Sequence, residues 1–186
     1  LWGGNTVIGG EEPGAGNVIS GNGFAGIDMG PGSFGTRIQG NFIGTDATGA
    51  VAMGNGLGIW VNFCADNIIG GTASGARNVI SGNTGANIQI TGIDAAGNTV
   101  QGNFIGPDVT GTVALENGRP IQIYDSPDNT IGGTDTGAGN LISGNTPGIT
   151  IEGPTATGNV LQGNFIGVDV TGTAALGNGG AGLRLT

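Results

Sequence analysis

Thirteen acidic side chains and four arginines carry all the formal charge of this 186-residue chain, and their spacing decides what chemistry it could do. Asp66, Asp94 and Asp128 fall seven, six and seven residues after Ile59, Ile88 and Ile121. If those isoleucines hold equivalent places in a repeating structure, three carboxylates reach one corner at steps of about 5 Å. Such spacing could hold Ca2+, or set a general acid apart from a nucleophile. The competing reading is a turn, because Asp66 and Asp128 stand directly before Asn67 and Asn129, where an Asp ordinarily starts one. Lys and His are absent from the chain, and none of Arg37, Arg77, Arg119 or Arg184 lies beside the three, so the catalytic set is incomplete.

A second series, Asp46, Asp108 and Asp169, opens Asp-x-Thr-Gly segments. Facing Thr48, Thr110 and Thr171, each carboxylate could bind Ca2+ from a loop, yet one Asp supplies too few ligands unless backbone carbonyls help. A capped turn is the plainer reading. A third group, Asp28, Trp60, Gln89, Gln122, Thr150 and Arg184, holds the middle places of apolar-x-apolar triplets such as Ile59-Trp60-Val61; Gly30, Asn62, Thr91, Tyr124 and Glu152 follow two residues later. Aromatics such as Trp60 and Tyr124 can stack on sugar rings when exposed. Asp28, Trp60, Gln89, Gln122, Tyr124 and Glu152 therefore mark a candidate face for a glycan or partner, set against the alternative of an ordinary solvated stripe.

The elements that must position these residues come from repetition. Ile8-Gly9-Gly10 returns at Ile69 and Ile131, 61 and 62 residues apart, and Gln39-Gly40-Asn41-Phe42-Ile43-Gly44 returns intact at Gln101 and Gln162. A period of that size signals a solenoid or an array. The triplets recur at about half the period, and Asn22, Asn55, Asn83, Asn117, Asn145 and Asn178 keep the same rhythm. Each short unit offers period-2 segments between turn formers, such as Ile27 to Met29, Arg37 to Asn41 and Val51 to Met53, then Ile59 to Val61, Ile68 to Gly70 and Asn78 to Ser81. With 44 glycines, no window suits a long amphipathic helix. The reading is an all-β chain, one domain over 1–186, wound as a parallel β-helix of about six coils with three short strands per coil. The coils form three two-coil repeats at approximately 5–65, 66–127 and 128–186. Inward apolar residues stack on their equivalents, and Asn at one turn of successive coils can chain amides along the axis.

Composition narrows the partners. The net charge of −9 and the scarcity of cations exclude phosphate-rich nucleic acid and an anionic membrane surface, and no apolar run is long enough to insert in a membrane. The single cysteine, Cys64, allows no internal disulfide and reads as a small buried hydrophobe. An acidic, lysine-free, Gly-, Asn- and Thr-rich repeat suits the outside of a microbial cell. Leu1 takes up the repeat about where Thr186 leaves it, so the chain reads as a slice of a longer solenoid or as a subunit whose copies stack end to end.

The segments Asn17-Val18-Ile19-Ser20-Gly21-Asn22, Gly26-Ile27-Asp28-Met29 and Ile38-Gln39-Gly40-Asn41-Phe42-Ile43-Gly44-Thr45-Asp46 resemble the parallel β-helix repeat of pectin-lyase-like proteins, especially repetitive surface and secreted proteins of bacteria and archaea. The resemblance implies a right-handed β-helix along the whole chain. It implies no particular activity, since that fold hosts lyases, hydrolases, epimerases, tailspikes and adhesins. The resemblance also sets what a catalytic site would need: lyases of this fold use Ca2+-bound acids with an Arg or Lys base, and hydrolases two or three close Asp residues. The leading expectation is a non-catalytic extracellular structural protein, a filament subunit stacked on its own copies or a segment of a surface adhesin, with no cofactor unless Ca2+ binds the Asp46, Asp108 and Asp169 loops. The alternative is a carbohydrate-active enzyme or polysaccharide-binding module using the Trp60 face or the Asp66, Asp94, Asp128 corner.

Overall fold

The computed structural model describes residues 4–115 and 117–186, so Leu1, from which the repeat phase of the amino terminus is read, lies outside the described residues. Three parallel six-stranded sheets run the length of a right-handed solenoid of about six coils, and every coil contributes one strand to each sheet. The first sheet stacks β1 (Val7–Gly9), β4 (Arg37–Gln39), β7 (Ile68–Gly70), β10 (Thr99–Gln101), β13 (Thr130–Gly132) and β16 (Val160–Gln162). The second stacks the two-residue strands β2 (Val18–Ile19), β5 (Phe42–Ile43), β8 (Val79–Ile80), β11 (Phe104–Ile105), β14 (Leu141–Ile142) and β17 (Phe165–Ile166). The third stacks β3 (Ala25–Met29), β6 (Leu57–Asn62), β9 (Ile88–Thr91), β12 (Ile121–Tyr124), β15 (Ile149–Glu152) and β18 (Leu183–Leu185). At a strand spacing of about 4.8 Å the stack is roughly 29 Å tall. Among the described residues no helix is long and apolar enough to cross a membrane.

The core is a set of aliphatic columns. Ile38, Ile69, Val100 and Ile131 line the first sheet, Ile43, Ile80, Ile105 and Ile142 the second, and Ile59, Val61, Ile88, Ile90, Ile121 and Ile123 the third, all fully buried. No coil could bury them alone, because each column is covered only by the coils on either side. Cys64 lies in this core, its Sγ 3.5 Å from the Met29 carbonyl, and burial pushes its thiol pKa up, so it is held as the neutral thiol. A second, smaller cluster sits outside the second sheet, where Val79, Phe104 and Leu141 are buried with Phe42 packed against them.

One expected strand is displaced. Val51 to Met53 do not enter a sheet; Ala52 bridges antiparallel to Thr45, and Met53 N–H donates to Gly44 O as the return arm of a loop. The third strand of that coil is Phe42–Ile43, split from Arg37–Gln39 by Gly40, whose φ of +70° turns the chain sharply. The alternation of Arg37 to Ile43 is therefore two strands around a corner.

Asparagine ladders close the corners. Between the first and second sheets, Asn17, Asn41, Asn78, Asn103, Asn140 and Asn164 form five consecutive steps in which both the backbone N–H and Nδ2 of one residue donate to Oδ1 of the next, at 2.9–3.2 Å. Nδ2 also donates backwards, for example from Asn103 to Ile69 O at 2.9 Å, so each of the four inner amides ties together three coils. Between the third and first sheets, Asn67, Asn98, Asn129 and Asn159 form a shorter ladder. The series marked in the sequence holds from Asn22 to Asn55 to Asn83 and again from Asn145 to Asn178. It breaks at Asn117, where Asn87 intervenes and its Nδ2 reaches the Oδ1 atoms of both Asn117 and Asn145.

Asn103 is fully buried, and replacing it takes away the acceptor that the N–H and Nδ2 of Asn78 share, while the backbone N–H of residue 103 still reaches Asn140 Oδ1. Each buried unpaired group costs about 1–3 kcal/mol. Asn103→Ala is therefore expected to lower stability to urea by roughly 2–5 kcal/mol, whereas the same change at exposed Asn22, in the first coil, costs much less; equilibrium unfolding followed by circular dichroism checks the contrast.

Candidate functional site

The six candidate ligand residues stand in register on the outer face of the third sheet. Asp28 pairs with Trp60, Trp60 with Gln89, Gln89 with Gln122, and Gln122 with Thr150, which pairs with Arg184; beside this column Thr91, Tyr124 and Glu152 form a second. Neighbours in each column are thus one coil apart. Gln122 Nε2 donates to Glu152 Oε1 at 2.5 Å and Gln89 Nε2 to Thr91 Oγ1 at 3.3 Å, so this part of the strip is tied into a polar network. The two aromatics differ. Tyr124 is 46 % exposed, but Trp60 is partly covered by Phe24, whose ring meets it edge to face at 5.4 Å, and its Nε1 is buried without a hydrogen-bond partner among the described residues.

Tyr124 borders an open groove of about 390 Å³ that sequence reasoning missed. Its other walls include Phe63, Ile93, Asp125, Pro154 and Thr155. The available signal was positional: Phe63 occupies the place after the third-sheet strand that Gly92 and Gly153 occupy in other coils. Of the candidates named from the sequence, Asp28, Trp60, Gln89, Gln122 and Glu152 do not line this groove.

The expected column of Asp66, Asp94 and Asp128 does not form. Asp66 and Asp128 are equivalent left-handed corner residues with φ of +58° and +55°, and Gly97, at +69°, holds that position in the coil between them. Asp94 lies three residues earlier. The two equivalent carboxylates stand two coils apart, about 10 Å. Each side chain instead lies over the glycine of the following coil: a methyl built on Gly97 would meet Asp66 Oδ1 at 2.5 Å, and one on Gly158 would meet Asp128 Oδ1 at 2.0 Å. These aspartates are corner formers.

Asp46, Asp108 and Asp169 clamp three equivalent loops folded over the second sheet. Asp46 accepts from Thr48 Oγ1 at 2.8 Å and from the N–H groups of Ala50 and Val51 at 3.2 Å; Asp108 repeats this with Thr110, Thr112 and Val113, and Asp169 with Thr171, Thr173 and Ala174. The loops stack on one another through Val109 N–H to Gly49 O and Val170 N–H to Gly111 O, each 3.0 Å. Gly111 lies against Phe104, Leu141 and Val170, which seals the outer apolar cluster. Arg77 adds to that seal, its guanidinium 4.1 Å from the centre of the Phe104 ring. A cation at any one loop would find a single carboxylate there, already holding its own turn. Among the described residues no three Asp, Glu, Cys or His side chains gather closely enough to hold a metal ion.

Compared with known protein families, curated proteins and solved structures, the chain matches none of them, so the geometry of the fold carries the functional argument.

The Thr48 and Thr171 hydroxyls, followed by loop N–H groups, hold the Asp46 and Asp169 carboxyls below the ordinary value of 3.8. A depressed carboxyl stabilises its loop while ionised, an effect present above the ordinary range and lost as pH falls through the lowered value. Carbon-detected NMR titration is expected to place both midpoints below 3.8, Thr48→Val is expected to raise that of Asp46 alone, and added Ca2+ is expected to move neither.

Proposed function

We propose that this chain is a non-catalytic structural protein of the cell exterior, a β-solenoid rod that serves as the subunit of a self-assembling filament or as a segment of a surface adhesin, in the manner of the repetitive pectin-lyase-like proteins it resembles. The observation that carries the reading is the complementarity of the two end coils. In the sixth coil, Leu183 and Leu185 are 43 % and 68 % exposed, while their equivalents Ile149 and Ile151 one coil inward are buried. The first coil likewise leaves Ile8 and Ile19 only half-buried, while their equivalents Ile38 and Ile43 one coil inward are fully buried.

Polar groups support the same reading. The ladders have a direction: among the described residues, Oδ1 of Asn17 and Asn22 receives no donor at the first coil, and the N–H of Asn164 and Asn178 finds no acceptor at the sixth. A second copy translated along the axis would join those donors to those acceptors. Coil types alternate, with a left-handed Asn or Asp at Asn5, Asp66 and Asp128 in odd coils and Gly35, Gly97 and Gly158 in even ones, so a first coil set on a sixth keeps the alternation. Of the carboxylates that could have done chemistry, Asp66 and Asp128 are engaged at corners and Asp46, Asp108 and Asp169 in loops, which also supports a structural role.

Negative-stain electron microscopy over a concentration series tests the proposal. Threads are expected with an axial repeat near 29 Å, six coils of about 4.8 Å, and Leu185→Lys, at a side chain already exposed, is expected to abolish them while leaving circular dichroism unchanged. Dispersed particles of one six-coil height at every concentration would contradict self-assembly.

A further inference from the structure

The groove beside Tyr124 is built at a conformational cost that the scaffold does not require. Phe63 has φ of +51°, a region that bulky residues avoid, whereas the equivalent positions in the next coils hold Gly92 at +98°, Asp125 at +49° and Gly153 at +100°. In the three following coils the corner is thus made by Gly or Asp, the residues suited to it. Backbone outliers of this kind concentrate at functional sites. The strained backbone lays the Phe63 ring over Gly92, where any Cβ would come within 2.4 Å of it, and still leaves the residue 44 % exposed.

Tyr124 stands two coils further along, about 10 Å away, 46 % exposed, with Ile93 between the two rings at 57 % exposure. The rim is polar and without cations: Asp125 Oδ1 accepts from Thr155 Oγ1 at 3.1 Å, and no arginine lines the groove. Two spaced aromatic surfaces with hydrogen-bonding groups at their margin suit a ligand with apolar C–H faces and hydroxyl edges. The carboxylate rim and the net charge of −9 disfavour an anionic one.

The geometry points to a binding site for a neutral oligosaccharide, one sugar ring stacking on Phe63 and another on Tyr124, with Asp125 and Thr155 taking hydroxyls. This adds a ligand-binding function to the rod and does not depend on its assembly. In a filament the site would recur once per copy, and weak single contacts would gain by multivalency.

Isothermal titration and amide chemical-shift mapping of the full chain with cellotetraose, N-acetylglucosamine tetramer and tetragalacturonate test the proposal. The expected result is saturable binding of at least one of the two neutral tetramers, with shifts at Gly92, Ile93, Asp125 and Thr155, and no binding of tetragalacturonate. Tyr124→Ala and Phe63→Ala should each weaken binding about tenfold or more, and Tyr124→Phe should retain most of it. Since Tyr124 is an exposed side chain, its variants report on binding with the fold intact. Failure of both neutral tetramers to bind saturably, preference for tetragalacturonate, or undiminished binding by Tyr124→Ala would overturn the proposal.

Discussion

At each corner of the solenoid the backbone points N–H groups along the axis, where no neighbour within the same coil can accept them. In the first ladder the Oδ1 of an asparagine one coil ahead accepts them, and the same amide reaches back through Nδ2 to a carbonyl one coil behind. Coils can therefore be added only in the order and register that keep each asparagine over the next. Aliphatic columns follow from that register, since they are buried only when every coil covers its neighbour. Strands of two residues in the second sheet persist because the ladders beside them hold the chain in place.

The same constraint accounts for the two-coil period. A side chain that leaves a left-handed corner must lie over the next coil, and the next coil must yield room for it. Asp66 over Gly97 and Asp128 over Gly158 show the solution, and the alternation then extends through the whole unit. Even coils carry the Asp-clamped loops that cover the second sheet, and odd coils carry the longer connection from the first sheet to the second. What stacking does not use is left on the flank, in a side groove where Phe63 departs from the Gly or Asp of the equivalent places in the next three coils.

Much of the architecture was legible from the residues. Triplets such as Ile59-Trp60-Val61 mark the third sheet and count the coils directly, and the outward columns they predict stand in register. The longest asparagine ladder was harder to see because its steps are 24, 37, 25, 37 and 24 residues, the long connection falling in every other coil. Phe42–Ile43 was hidden because alternation continues across the turn at Gly40. Asp94 was misplaced because equivalence at a corner is set by φ, and counting from Ile88 cannot see that Gly97 is the left-handed residue. The groove was invisible for a related reason: Phe63 and Tyr124 are 61 residues apart and meet one cavity only through coil stacking.

Amide hydrogen exchange along the first ladder is the most direct test of the central claim. If the asparagine ladders hold the coils together, the backbone amides of Asn78 and Asn103 and their side-chain NH2 groups exchange as slowly as the central strands, with protection falling toward Asn17 and Asn164. Rapid exchange at Asn78 and Asn103 while Ile69 and Val100 stay protected would show that the aliphatic columns stand without them and would contradict the account.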